Sequence, residues 1–218
     1  MDRENDIKKE VVEYAHLMDA KGLVNSLEGN LSILDRESGK LYITPTSTRK
    51  CILDEDKIAV LKDGEQIGGI LRHSGEYRLH MVALEARPDC NAVAHIHAPY
   101  LTAYAYCGKD IELKCSSTFQ LLFEKIPCLP YGEPYADGIT KGVAEALQDS
   151  NLVLLGNHGV VAVGKTLESA VNIIEVAEEI LRIYHITKEI GEVNNIPDDE
   201  IEALVMHHPG SKRNNFRK

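Results

Sequence analysis

Residues 74–100 read SGEYRLHMVALEARPDCNAVAHIHAPY, and this run decides the fold. Its first half predicts a helix that starts at Ser74, whose hydroxyl can cap it, continues through YRLHMVALEAR and stops at Pro88. Its second half, AVAHIHA, predicts a strand, after which PYLTAYAYC turns helical again. Residues two apart on a strand face the same side, so His95 and His97 can both reach one ion.

Working outward, the chain before this run opens with a helix from about Asn5 to Ala20. Ile7, Val11, Val12, Ala15 and Met18 fall at helical spacing there, and Gly22 stops it. LEGNLSILD and KLYITPT are strand-like runs joined by Glu37, Ser38 and Gly39. KIAVLKDGEQIGG reads as two short strands about an Asp63-Gly64 turn. Beyond the run, IPCLPY holds a short strand and DGITKGVAEALQ an amphipathic helix. NLVLLGNHGVVAVG is two apolar runs hinged at Gly156-Asn157-His158-Gly159. A long helix from about Thr166 to Lys188 carries Ala170, Ile173, Ile174, Ala177, Leu181 and Tyr184 as its apolar stripe. In the polar segment after Gly191, IPDDEIEALV is a candidate last helix, and HHPGSKRNNFRK reads as frayed. Helices and strands alternate, but hairpin signals are frequent and strand lengths differ. The expected architecture is therefore a mixed, largely antiparallel sheet covered by helices.

The 218 residues suit one domain over 1–218, with about 192–218 as a polar C-terminal tail. A formal net charge of −10 argues against a nucleic-acid partner, which would require a basic surface. No stretch approaches the roughly 20 apolar residues that span a bilayer, and the charged opening MDRENDIKKE is unlike a signal peptide. Cys51, Cys90, Cys107, Cys115 and Cys128 include no CxxC pair and read as reduced thiols, several of them core fillers. These features together point to a cytoplasmic protein without a membrane partner. Neither GxGxxG nor GxxxxGKS occurs, so dinucleotide and P-loop chemistry lack their central signature.

Taken alone, His95 and His97 favour the plainer reading of two histidines making ordinary hydrogen bonds on a half-exposed strand face. His158 changes that balance. It follows the apolar run LVLLG in a turn that can present it to a cleft, and Gly159 permits an unusual backbone conformation there. Three imidazoles leave an open position for substrate, as catalytic zinc requires. Glu76 falls in the first turn of the predicted helix, where the dipole favours any carboxylate. Beside a cation and partly desolvated, it can act as ligand and as proton carrier. His80, four residues on, is given a structural role; His16, His73, His185, His207 and His208 read as surface or core residues. Gly29-Asn30, Thr46-Ser47 and Ser74-Gly75 are polar turns offering hydroxyl, amide or backbone N–H donors, and Ser74-Gly75 sits where a helix start attracts anions.

In order along the chain, EGNLSI, LYITPTS, SGEYRLHMVALEARPDCNAVAHIHAPY, IPCLPY and LLGNHGVVAVG, then the long helix, resemble the class II aldolase/adducin superfamily, and especially its L-fuculose-1-phosphate aldolase branch. The resemblance runs from about residue 5 to 190. It implies a three-layer α/β fold with a central, mostly antiparallel sheet, and a cyclic homotetramer with sites between subunits. It implies that His95, His97 and His158 bind Zn²⁺ (or Mn²⁺ or another divalent metal), with Glu76 as catalytic base and possible fourth ligand. It also implies that Gly29, Asn30, Thr46, Ser47, Ser74 and Gly75 hold the phosphate of a small sugar-phosphate substrate. The departures are Ser47 where glycine is usual, Gly75 where a second serine is usual, and Ser116 where the fuculose-phosphate enzymes use a tyrosine as acid. Tyr100, Tyr104, a tail residue or water remain as proton donors.

The activity implied is aldol cleavage of a ketose 1-phosphate to dihydroxyacetone phosphate and an aldehyde. The metal stabilises an enediolate while Glu76 moves the proton. Decarboxylation of a 3-oxo-sugar-acid phosphate or epimerisation of a sugar phosphate are rival reactions on the same site. An adducin-like binding module is the non-enzymatic rival, and retention of all three histidines with Glu76 argues against it.

Overall fold

The computed structural model describes residues 3–134 and 137–208. Of the segment expected to fray, HHPGSKRNNFRK, His207 ends a helix and the residues from 209 onward lie outside the described residues. Eight strands form one sheet: β1 (Asn30–Asp35), β2 (Lys40–Ile43), β3 (Ala59–Lys62), β4 (Glu65–Gly68), β5 (Ala92–Ile96), β6 (Cys128–Leu129), β7 (Leu152–Leu155) and β8 (Gly159–Gly164). Their spatial order is β4-β3-β2-β1-β5-β8-β7-β6. Every neighbouring pair is antiparallel except β6 with β7. The expected three-layer, mostly antiparallel architecture is the one observed.

Helices α1 (Arg3–Ala20), α3 (Pro99–Tyr106) and α6 (Leu167–Ile190) cover one face of the sheet. Helices α2 (Tyr77–Ala86) and α5 (Val143–Asp149) cover the other. The pleat of β5 divides the two cores: Ala92, Ala94 and Ile96 join the apolar cluster around α1, α3 and α6, while Val93 joins the cluster under α2 and α5. His95 therefore projects toward α2. Since both faces are buried, β7 and β8 read as continuous apolar runs in which the sequence alone cannot tell one face from the other.

The long helix begins with a reciprocal cap: Thr166 Oγ1 accepts from Ser169 N–H, and Ser169 Oγ accepts from Thr166 N–H. Midway along it, the buried Glu178 accepts hydrogen bonds from the backbone N–H groups of Tyr100 and Leu101, both at 2.9 Å. Those donors are in the first turn of α3, where no intrahelical acceptor exists, so one carboxylate anchors the chain just after His97.

Several elements differ from expectation. The helix predicted from Ser74 starts at Tyr77: Ser74 Oγ accepts from Glu76 N–H two residues on, a tight turn that delays the helix and leaves Glu76 at its N-cap position. DGITKGVAEALQ is broken rather than continuous, because Gly142 takes a left-handed conformation (φ 80°) between a 3-10 turn at Asp137–Thr140 and α5. A short helix, α4 (Ser117–Leu122), occupies a stretch in which no element was expected. The polar segment after Gly191 is not all tail: α7 (Asp198–His207) buries Ile201 and Val205 and packs against α4. All five cysteines are free: Cys90 is buried in the core and Cys115 and Cys128 pack half-buried against it, while Cys51 and Cys107 are exposed. No helix among the described residues is long and apolar enough to cross a membrane.

Candidate metal centre and catalytic site

The three histidines converge. His95 is the penultimate residue of the fully buried β5, His97 lies one residue past the strand, and His158 sits in the β7–β8 turn. His95 Nε2 stands 3.1 Å from His158 Nε2 and 3.2 Å from His97 Nε2. Each histidine contributes one ligand nitrogen to a group lying within 4.8 Å of one another. Imidazole nitrogens bound at about 2.0–2.1 Å around a tetrahedral ion stand roughly 3.3–3.4 Å apart, so this spacing fits a divalent metal. Three such nitrogens do not satisfy one another, because a single proton can bridge only one pair. His95 Nδ1–H donates to the Val160 carbonyl at 2.8 Å, which fixes the tautomer and leaves Nε2 as the free lone pair. Burial pushes His95 down, and it pushes His97 down to about 3, with the neighbouring His95 and His158 rings adding to the effect. Both rings are neutral at ordinary pH, the form a metal requires.

The turn that delivers His158 depends on two residues. Asn157 takes the left-handed conformation (φ 58°), and its N–H donates to the Ala105 carbonyl at 3.0 Å. Gly159 does not adopt the positive φ that its position suggested. Its requirement is one of space: a Cβ there would lie 2.8 Å from the Ile96 oxygen and 3.0 and 3.2 Å from ring atoms of His97.

Glu76 completes the cluster. Its Oε1 lies 2.9 Å from His158 Nε2, and its Oε2 lies 3.4 Å from His95 Nε2 and accepts from Asn30 Nδ2 at 2.7 Å. Burial alone would raise its pKa. The hydrogen bond from His158, the electrostatic pull of the adjacent His95 imidazole and the Asn30 amide outweigh burial and hold the carboxylate well below its usual range. Glu76 is thus ionised and 6% exposed, with its charge directed at the histidines.

The three polar turns meet at one corner of the sheet. Leu31 N–H donates to Thr44 Oγ1, Pro45 bridges to His73, and Thr46 N–H donates to the Arg72 carbonyl. Gly29 (φ 80°) leads into Asn30 at the start of β1, the half-buried Thr46 and exposed Ser47 form the next turn, and buried Ser74 and half-buried Gly75 precede Glu76. Ser47 holds a left-handed φ of 50°, the conformation glycine adopts more easily. Asn30 differs from the others, since its side-chain amide is engaged with Glu76 and His80.

Of the proposed proton donors, Tyr100 and Tyr104 do not reach this face. Tyr100 and Tyr104 pack against His185 of α6, in the layer opposite His95. Ser116 caps α4, its Oγ accepting from Phe119 N–H at 3.2 Å. One charged residue went unnoticed in the sequence: Lys50 is 1% exposed, follows the Thr46–Ser47 turn and donates to the Thr48 carbonyl at 3.1 Å. Burial pushes its ammonium down to about 8, against the pull of Asp19, Glu76 and Glu28. Only its position beside TPTSTR hinted at this.

Residues 9–185 match the class II aldolase and adducin N-terminal domain. The 5-deoxy-D-ribulose 1-phosphate aldolase of Bacillus thuringiensis serovar kurstaki is 31% identical over 204 residues, covering 93% of this chain and 95% of that one. This chain belongs to the class II aldolase and adducin family. The Escherichia coli K12 L-fuculose phosphate aldolase is 30% identical, covering 93% of each chain. A solved L-fuculose 1-phosphate aldolase superposes with a TM-score of 0.83 at 28% identity, covering 93% of this chain and 95% of its own. Within the family this chain stands with the aldolases: it is an enzyme, a lyase.

Proposed function

We propose that this enzyme cleaves a ketose 1-phosphate to dihydroxyacetone phosphate and an aldehyde, with His95, His97 and His158 holding a divalent metal, Zn²⁺ first. The observation that carries the reading is the spacing of the three imidazole nitrogens beside an ionised, buried Glu76. The metal, when bound, supplies a Lewis acid for the negative charge that develops as the carbon–carbon bond breaks. Glu76 moves the proton at the carbon released: it delivers that proton in cleavage and removes it in the direction of synthesis. The turns at Gly29-Asn30, Thr46-Ser47 and Ser74-Gly75 receive the phosphate through backbone N–H groups and hydroxyls, and buried Lys50 adds a positive field behind them. Ile183, Ile186 and Ile190 leave apolar surface exposed on α6, which supports assembly into a homotetramer.

The test has two stages. Protein purified without chelators is expected to carry stoichiometric metal, lost in His95→Ala; a metal-free wild type would favour a binding module instead. Metal-loaded protein is then incubated with ketose 1-phosphates, 3-oxo-sugar-acid phosphates and pentulose phosphates, while dihydroxyacetone phosphate, CO₂ and epimers are assayed. Release of CO₂, or epimer formation, without dihydroxyacetone phosphate from any ketose would replace aldol cleavage by the rival reaction.

A further inference from the structure

Behind Glu76 runs a line of buried polar groups that the proposed chemistry does not use. Ser32 and His80 are fully buried, and Asn30 is 6% exposed. Ser32 Oγ lies 2.6 Å from His80 Nδ1, His80 Nε2 meets Asn30 Oδ1 in a short contact, and Asn30 Nδ2 donates to Glu76 Oε2 at 2.7 Å. We propose that His80 is a positioning residue for Glu76, acting through Asn30 and held in one tautomer by Ser32. The inference rests on the reading of Glu76 as the proton carrier.

The direction of the chain follows from its end. An ionised carboxylate can only accept, so Asn30 must present its NH₂ to Glu76 and its carbonyl to His80. That carbonyl needs a donor, which makes His80 Nε2 the protonated nitrogen. Nδ1 is left with its lone pair and accepts from the Ser32 hydroxyl. The opposite tautomer would turn the Asn30 carbonyl toward the Glu76 carboxylate, two acceptors face to face in a buried site. Burial also pushes the His80 imidazole down to about 3, so the ring stays neutral at working pH.

The chain answers a local need. Glu76 occupies the N-cap position of α2, yet its side chain makes no capping hydrogen bond, so helix geometry does not orient the carboxylate. Ser32 and Asn30 are two apart on β1 and share a face, and His80 is one helical turn beyond Glu76. Strand and helix together fix one oxygen of a group that must meet a carbon of the substrate. The Asn30 side chain thereby belongs with the base rather than with the phosphate turns.

The experiment compares His80→Leu, His80→Gln and Ser32→Ala as metal-loaded enzymes. It measures kcat, KM, metal content and solvent-deuterium exchange into dihydroxyacetone phosphate, a step that needs Glu76 and no aldehyde. His80→Leu should lose about 100-fold in both kcat and exchange, with KM within about twofold and metal content unchanged, as expected for a base displaced by roughly 1 Å. His80→Gln, whose amide N–H can replace the Nε2–H donor, should recover most of that loss, and Ser32→Ala should fall between. Nitrogen-15 correlation spectra of the wild type should show His80 protonated on Nε2 only. Wild-type exchange in His80→Leu, or an Nδ1-protonated His80, would overturn the proposal, the spectrum doing so even if the variant fails to fold. A wild type that turns over no ketose phosphate and exchanges no proton would instead overturn the aldolase reading.

Discussion

Gly159→Ala adds one carbon at the point where strand β8 passes behind the His97 ring. The added Cβ would stand 2.8 Å from the Ile96 carbonyl oxygen, 3.0 Å from His97 Cδ2 and 3.2 Å from His97 Nε2. Ordinary contact begins near 3.5 Å, so the intrusion is about 0.7 Å on the backbone and about 0.3–0.5 Å on the ring. The Ile96 carbonyl cannot retreat freely, because Ile96 pairs with Val160 across β5 and β8. The ring is the softer partner and must move by a few tenths of an ångström. Metal–ligand distances tolerate about ±0.2 Å, so on the proposed coordination a bound ion would lose His97 or distort its shell. We expect divalent-metal affinity to fall about 10- to 100-fold, on the scale of lost second-shell support, with overpacking costing about 1–3 kcal/mol of stability. Competition titration against a chromogenic chelator measures the first quantity, and urea unfolding of metal-free protein the second. Unchanged affinity in a folded variant would refute the steric argument and place His97 outside the ligand set.

Lys50→Met should show a pH-dependent stability difference from wild type. Because the folded value (about 8) lies below the ordinary 10.5, the penalty for burying the ammonium is complete below pH 8 and fades as pH rises toward 10.5. Urea melts should find the advantage of the methionine variant shrinking by up to about 3 kcal/mol across that window; a constant difference would mean Lys50 is not desolvated. Glu178→Ala leaves the Tyr100 and Leu101 N–H groups without their acceptor and should destabilise by about 2–3 kcal/mol in denaturant melts. The loss is smaller than two charge-assisted bonds suggest, since burial already raises the Glu178 pKa and alanine relieves that strain. Glu76→Gln should retain metal yet lose at least about 100-fold in turnover, and full activity on the best substrate would remove Glu76 from the role of base.

Helix and strand identities over most of the chain were legible because periodicity is local. The period-two spacing of His95 and His97 already put both rings on one side, and LEGNLSILD, NLVLLGNHGVVAVG and the long apolar-striped helix fall where their patterns place them. Boundaries were less legible where a side chain competes with the backbone. Ser74 bonds Glu76 N–H instead of capping a helix, and Gly142 breaks α5 from the turn before it.

The sequence by itself determined which residues can bind a metal, which carboxylate stands near a helix start, and which family order they follow. Only the tertiary structure decided that His158 meets His95 across 63 residues of chain, because that encounter depends on the β5–β8 register and on a left-handed Asn157. Tertiary structure likewise turned Asn30 toward Glu76, buried Lys50 beside the polar turns and sent Tyr100 and Tyr104 to the opposite layer. Spacing along a chain records which face a side chain takes within its own element. Which other face it meets is set by how the elements pack, and that is where this site is made.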